Sequence, residues 1–134
     1  MKYKFLEHTA DVKFQAYGKS LNEVFENSAM AMKEVMTQKV RIKSKVKKKF
    51  SVSGKDNESL MYNFLEQFLY LLDAENFVLS KVKVSVKYNE IFCEVWGDKK
   101  TNYKFSNDVK AVTYNQMFVK QTSRKYIAQV VLDV

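Results

Sequence analysis

The chain predicts an α+β fold, two amphipathic helices packed on a mostly antiparallel β-sheet in a two-layer single domain spanning residues 1–134. Two stretches carry apolar residues at helical spacing, near Leu21–Met36 and Glu58–Leu72. Alternating apolar and polar runs precede, separate and follow them. A hydrophobic content of 46% with 14% aromatics, in 134 residues, supplies a core without staples and excludes a disordered chain.

Tyr3 to Leu6 reads as a short strand. Val12, Phe14 and Ala16 alternate with Lys13, Gln15 and Tyr17 in a second strand closed by Gly18. Ser20-Leu21-Asn22-Glu23 is a capping-box pattern, in which Ser20 accepts from the Glu23 amide and the Glu23 carboxylate reaches back to the Ser20 amide. The stripe Leu21, Val24, Phe25, Ser28, Ala29, Met32, Val35 and Met36 then faces a core. Val46, Lys48, Phe50 and Val52 alternate with lysines and Ser51 as a third strand. Gly54-Lys55-Asp56-Asn57 is a turn from which Asp56 or Asn57 caps the second helix. That helix carries Leu60, Met61, Phe64, Leu65, Phe68, Leu69, Leu71 and Leu72, a wider apolar face. The two helices are expected to pack side by side on one sheet face. The remainder reads as strands and turns: Val82 to Tyr88, Ile91 to Trp96, a loop at Gly97-Asp98-Lys99-Lys100, a brief strand at Tyr103–Phe105, then Val109 to Lys120 and Tyr126 to Val134.

Composition also removes function classes. Cys93 is the only cysteine and His8 the only histidine, which excludes an internal disulfide and a zinc site built of Cys and His. There are no prolines and three glycines, and no Walker or dinucleotide fingerprint occurs. The N-terminus lacks a signal-peptide core and no apolar run has membrane-spanning length, so a soluble, cytoplasmic protein without membrane contact is expected. The net charge of +8 is uneven. Lys39, Arg41, Lys43, Lys45, Lys47, Lys48 and Lys49 follow one another with no acid among them. This run reads as a patch for a polyanion or acidic partner, or as the solvated lysines of a strand edge; it lacks interleaved aromatics.

Glu7-His8-Thr9-Ala10-Asp11 concentrates polar groups between two strands, and Asp133 is the only other carboxylate that ends a strongly apolar strand. Asp11 has two readings: an Asx-type turn residue bonded to nearby amides, or a ligand brought against Asp133 by the fold. No serine has a partnership suited to a nucleophilic triad.

Five segments in order resemble the archease family: His8-Thr9-Ala10-Asp11-Val12, Ser20 to Phe25, Phe64 to Leu71, Val109-Lys110-Ala111-Val112-Thr113-Tyr114 and Val130-Val131-Leu132-Asp133-Val134. The resemblance spans nearly the whole chain. It implies a non-catalytic protein cofactor of the tRNA-splicing RNA ligase that joins 2′,3′-cyclic phosphate ends to 5′-hydroxyl ends, acting in tRNA splicing or RNA repair. Archease-like proteins promote guanylylation of the ligase's histidine and its multiple turnover. Carried over by position, the metal-binding residues are Asp11, Asp133 and Val134, with Lys110 on the functional surface and His8 a supporting donor. The implied cofactor is a divalent cation, calcium by resemblance, and oxygen donors equally suit magnesium or manganese. Val134, the last residue, offers a backbone oxygen or an α-carboxylate. Two positions depart from the family pattern: Lys13 stands where glycine is frequent, and Asn115 where a histidine often follows Thr-Tyr.

Two functions from different classes follow. The first is the ligase activator, with the ligase as protein partner. The alternative is a basic RNA-binding or chaperone module that contacts RNA directly through Arg41, Lys43, Lys45, Lys47 and Lys49.

Overall fold

The computed structural model describes residues 1–134. In chain order it contains β1 (Tyr3–Leu6), β2 (Val12–Gly18), α1 (Leu21–Thr37), β3 (Val46–Ser53), α2 (Asn57–Ala74), β4 (Phe77–Lys87), β5 (Glu90–Lys99), a 3-10 turn at Lys100–Asn102, β6 (Ala111–Gln121) and β7 (Tyr126–Asp133). Every strand pair is antiparallel. The α+β architecture of two helices on antiparallel strands is therefore the observed one. It carries a refinement: the strands form two sheets, ordered β1-β2-β7-β6 and β3-β5-β4, and each helix touches both instead of lying on one sheet face.

Helix side chains explain why the sheets end where they do. An unpaired strand amide away from water needs an acceptor. On β4, the Val84 amide donates to Glu26 Oε2 and the Val86 amide to Asn22 Oδ1, both at 2.8 Å from α1. On β6, the Val119 amide donates to Glu58 Oε1 of α2 at 3.2 Å. At these three positions the edge amides are taken and are not free to pair with another strand.

Each helix begins where its cap chemistry predicts. Ser20 Oγ accepts from the Glu23 amide at 3.1 Å, but the return bond from Glu23 is not made. Around α2 the box is complete: Asp56 Oδ1 accepts from the Ser59 amide and Ser59 Oγ accepts from the Asp56 amide. These bonds to Ser59 hold the Asp56 carboxyl below the usual carboxylate range. Without a glycine, α1 stops through left-handed Gln38 and Lys39, at φ 55° and 66°.

The core is a continuous cluster of 30 buried residues drawn from both helices and both sheets. Phe64 is its hub. Its ring packs edge-on against Phe25 of α1 at 5.6 Å and Phe68 at 5.1 Å, and lies 6.4 Å from Phe50 of β3.

Local expectations fail in four places, the first being β4, which runs from Phe77 to Lys87 instead of from Val82 to Tyr88 and leaves Tyr88 in a turn at φ 52°. Gly97 to Lys99 belong to β5, not to a loop: Gly97 pairs with Val46 and Leu79, beside a register shift in β4 between Leu79 and Lys81. A Cβ at Gly97 would run into the Val78 carbonyl, so this glycine serves close approach and not a turn. Tyr103–Phe105 forms no strand, and its Tyr103 hydroxyl donates to buried Asp98 at 2.8 Å. That bond, with the Lys99 amide and Asn102, holds the Asp98 carboxyl below its usual range. Finally, β6 starts at Ala111 and bulges between Thr113 and Phe118, with Gln116 at φ 55°.

Phe64→Ala is expected to cost about 3–5 kcal/mol, because the ring leaves both lost burial and a cavity between two helices and a strand. Denaturant unfolding checks this, and a change below about 1 kcal/mol would show that Phe64 is not the hub.

Candidate functional site

Asp11 lies in the turn between β1 and β2, one residue before Val12. Val12 pairs with Leu132, so Asp11 and Asp133 occupy facing positions just past the end of one ladder. The turn is tight, with Ala10 at φ 69°. No turn amide bonds the Asp11 carboxylate, so the Asx-turn reading is not what holds this segment. His8 stands beside it, with Nδ1 4.0 Å from Asp11 Oδ2. That is too long for a hydrogen bond. The same Nδ1 is buried and has no partner.

Asp133 is exposed at the end of β7, opposite Ala111 of β6. Its backbone oxygen accepts from the Lys110 amide at 2.8 Å, which brings Lys110 to the same end of the sheet. Val134 follows, half-buried. The five positions His8, Asp11, Lys110, Asp133 and Val134 thus share one sheet end, although they come from both ends of the sequence. Glu34 of α1 also lines the shallow groove beside Asp11, together with Lys39, and sequence reasoning missed it because helix and turn are remote in the chain. No three His, Cys, Asp or Glu side chains converge on a point. Any cation here would take two carboxylates and complete its shell with backbone oxygens and water, a donor set of hard oxygens only.

One departure from the family pattern reaches the residue next to the other. Lys13 Nζ donates to Gln116 Oε1 at 3.1 Å, and Gln116 follows Asn115 in the β6 bulge. The motif residue Tyr114 stacks on Tyr62 of α2, ring centroids 4.3 Å apart.

The basic run divides in two. Arg41, Lys43 and Lys45 lie in the irregular segment before β3, anchored where the Lys43 amide donates to the Tyr103 hydroxyl at 2.9 Å. Lys47 and Lys49 project from β3, which is an edge strand as the lysine-edge reading requires. The run is not free of acids in space: Lys47 pairs with Glu94 and Lys48 with Glu75, each at 2.6 Å. Nor does it lack aromatics. Lys47 pairs across β5 with Trp96, and Ser51 with Phe92.

A small α+β domain whose second and last strands pair to set two carboxylates at a shared end defines the class. The chain belongs to the archease protein family (MTH1598/TM1083), whose sequence model matches residues 3–134. It is similar to the protein archease of Sulfurisphaera tokodaii, 36% identical over 137 residues that cover 99% of each chain. The protein archease of Methanosarcina barkeri is 36% identical over 140 residues, covering 99% of this chain and 96% of that one. The solution structure of Methanobacterium thermoautotrophicum protein 1598 superposes with a TM-score of 0.80 at 31% identity, covering 99% of both chains. A Thermotoga maritima crystal structure, described as an archease and possible chaperone, shares the fold at a TM-score of 0.65 and 17% identity, covering 98% and 96%. No helix is long and apolar enough to cross a membrane.

Cys93 lies on the inward face of β5, in the other sheet. Burial, then Glu26 and Glu94, push its thiol up to about 12, leaving no thiolate for nucleophilic chemistry near neutrality. At pH 8 the folded protein is therefore expected to resist iodoacetamide, and to react once unfolded; rapid native-state alkylation would contradict the burial.

Proposed function

We propose that this chain is a protein cofactor of an RNA ligase that joins 2′,3′-cyclic phosphate ends to 5′-hydroxyl ends, promoting guanylylation of the ligase and its multiple turnover. Family membership supports an assisting role, as does the description of the Thermotoga relative as a possible chaperone. The observation that carries the reading is the facing placement of Asp11 and Asp133 at the end of the β2–β7 ladder.

Two carboxylates brought together repel, and a cation between them turns that cost into affinity. The residues fit such a group. Asp11 and Asp133 would hold a divalent ion, calcium in the first place, with the Val134 backbone oxygen as a third donor. When bound, the ion supplies positive charge for phosphate oxygens at the ligase's guanylylation centre. His8, with an unpartnered Nδ1 near Asp11, would orient that carboxylate by donating to it. Lys110, anchored on Asp133, would meet an anionic group of the ligase or its nucleotide. The chain itself provides no nucleophile in this scheme; its residues position charge.

Asp11→Asn is the sharp test, because it keeps the turn's size and removes only charge. Multiple-turnover ligation by the cognate ligase, with GTP and divalent metal, is expected to fall to the level seen without this protein, while the melting temperature stays within a few degrees. Full stimulation by Asp11→Asn would overturn the metal-site reading, and no stimulation by the wild type would overturn the cofactor reading.

A further inference from the structure

The solvent face of the three-stranded sheet is left uncovered by the fold. Register gives its composition. From the central strand β5 come Glu90, Phe92, Glu94 and Trp96, the side chains that alternate with buried Ile91, Cys93 and Val95. Facing them are Lys47, Lys49 and Ser51 on β3, and Lys81, Lys83, Ser85 and Lys87 on β4. Five lysines thus border two aromatic rings, against two glutamates, one of which is already paired with Lys47.

A merely solvated lysine face has no use for the aromatics. Phe92 is 50% exposed, an apolar ring lying open between two serines, and a trough beside it runs between Lys49 and Lys83. Trp96 sits farther along, with Lys47 Nζ at 5.3 Å and Lys81 Nζ at 4.7 Å from its ring centroid. The exposed Lys81 ammonium rides on a flexible stem and can turn outward to a phosphate as a base takes the ring face, while Lys47 does so only by leaving Glu94. Phe92 and Trp96 point the same way four residues apart, about 13 Å along the strand. An extended strand of a few nucleotides spans that length.

We propose that this face binds single-stranded RNA, with Phe92 and Trp96 stacking bases and the lysines of β3 and β4 following the phosphates. Each requirement of such a surface is present: flat rings, cations on both sides, and hydroxyls at Ser51 and Ser85 that can meet a ribose 2′-hydroxyl. A second copy of the chain is the wrong occupant, because the excess of lysine would face itself. An acidic protein would match the charge but has no need of an aromatic ring in place of any apolar side chain. The inference is independent of the metal-site reading, since Asp11 and Asp133 belong to the other sheet.

The test is fluorescence anisotropy of the full chain with a labelled oligouridylate of about 12 nucleotides. Binding is expected at low salt, weakening with a salt slope that falls by about 0.7 for each of Lys49→Gln and Lys83→Gln. Phe92→Leu keeps apolar bulk and removes the ring, and is expected to lower affinity about 5- to 100-fold without changing the melting temperature. The same sequence as a duplex, or as DNA, should bind less tightly. Asp11→Asn should bind like wild type. The proposal is overturned by absence of binding at low salt, by Phe92→Leu binding as well as wild type (a generic polyanion or acidic-protein surface), by equal affinity for duplex or DNA, or by loss of binding in Asp11→Asn.

Discussion

The pairing of β2 with β7 is the constraint from which the rest of the architecture follows. It joins the start of the chain to its end over seven consecutive residue pairs, Val12 with Leu132 through Gly18 with Tyr126. Its inward face, Phe14, Ala16, Ala128, Val130 and Leu132, is completely buried, so a slip of β2 by one residue would turn Lys13, Gln15 and Tyr17 into the core. Register is thereby specified by burial and not by a turn. The same register decides that Asp11 faces Asp133, and the neighbouring β6 pairing adds Lys110. The acidic end is a geometric consequence of core packing more than a hundred residues apart in sequence.

The helices do two jobs for this ladder. Their apolar stripes fill the space between the sheets, with Phe64 touching α1, its own helix and β3. Their flanking polar residues close the sheet edges, Glu26 and Asn22 on β4 and Glu58 on β6. A charged acceptor on a strand amide is a stronger partner than a neutral one. Two carboxylates and one amide, placed on the helices, thus occupy amides that the division into two sheets leaves unpaired.

How much of this was legible in the sequence depended on range. The helices and their caps at Ser20 and Asp56 are local patterns, and both were readable within a residue or two. The division into two sheets was not, because alternation reports that a strand is half-buried without naming its neighbour. Val84 and Glu26 lie 58 residues apart, and no spacing rule connects them. Gly97 was misread for a similar reason: a turn glycine and a close-approach glycine look alike until the Val78 backbone is placed beside it. At the candidate site, family resemblance singles out His8, Asp11, Lys110, Asp133 and Val134, and the topology places these positions at one sheet end. Glu34 and the aromatic companions of the lysines were not, since each arrives from an element remote in sequence.

The basic run shows how far one-dimensional charge can mislead. Seven cations in eleven residues read as one patch. Folding sends Lys48 inward to Glu75 and over the Phe77 ring, binds Lys47 to Glu94, and anchors the Lys43 backbone on Tyr103. Meanwhile three lysines of β4, silent in the sequence as an unremarkable alternation, join Lys47 and Lys49 on the same surface. The positive face that results is defined by strand order, with β5 and its rings inserted between two lysine-bearing edges. The carboxylates of Asp11 and Asp133 sit on the other sheet, and the apolar core lies between. Because exposed charges farther apart than about 8–10 Å are largely screened at physiological salt, these two polar regions can each meet a different partner without cancelling the other.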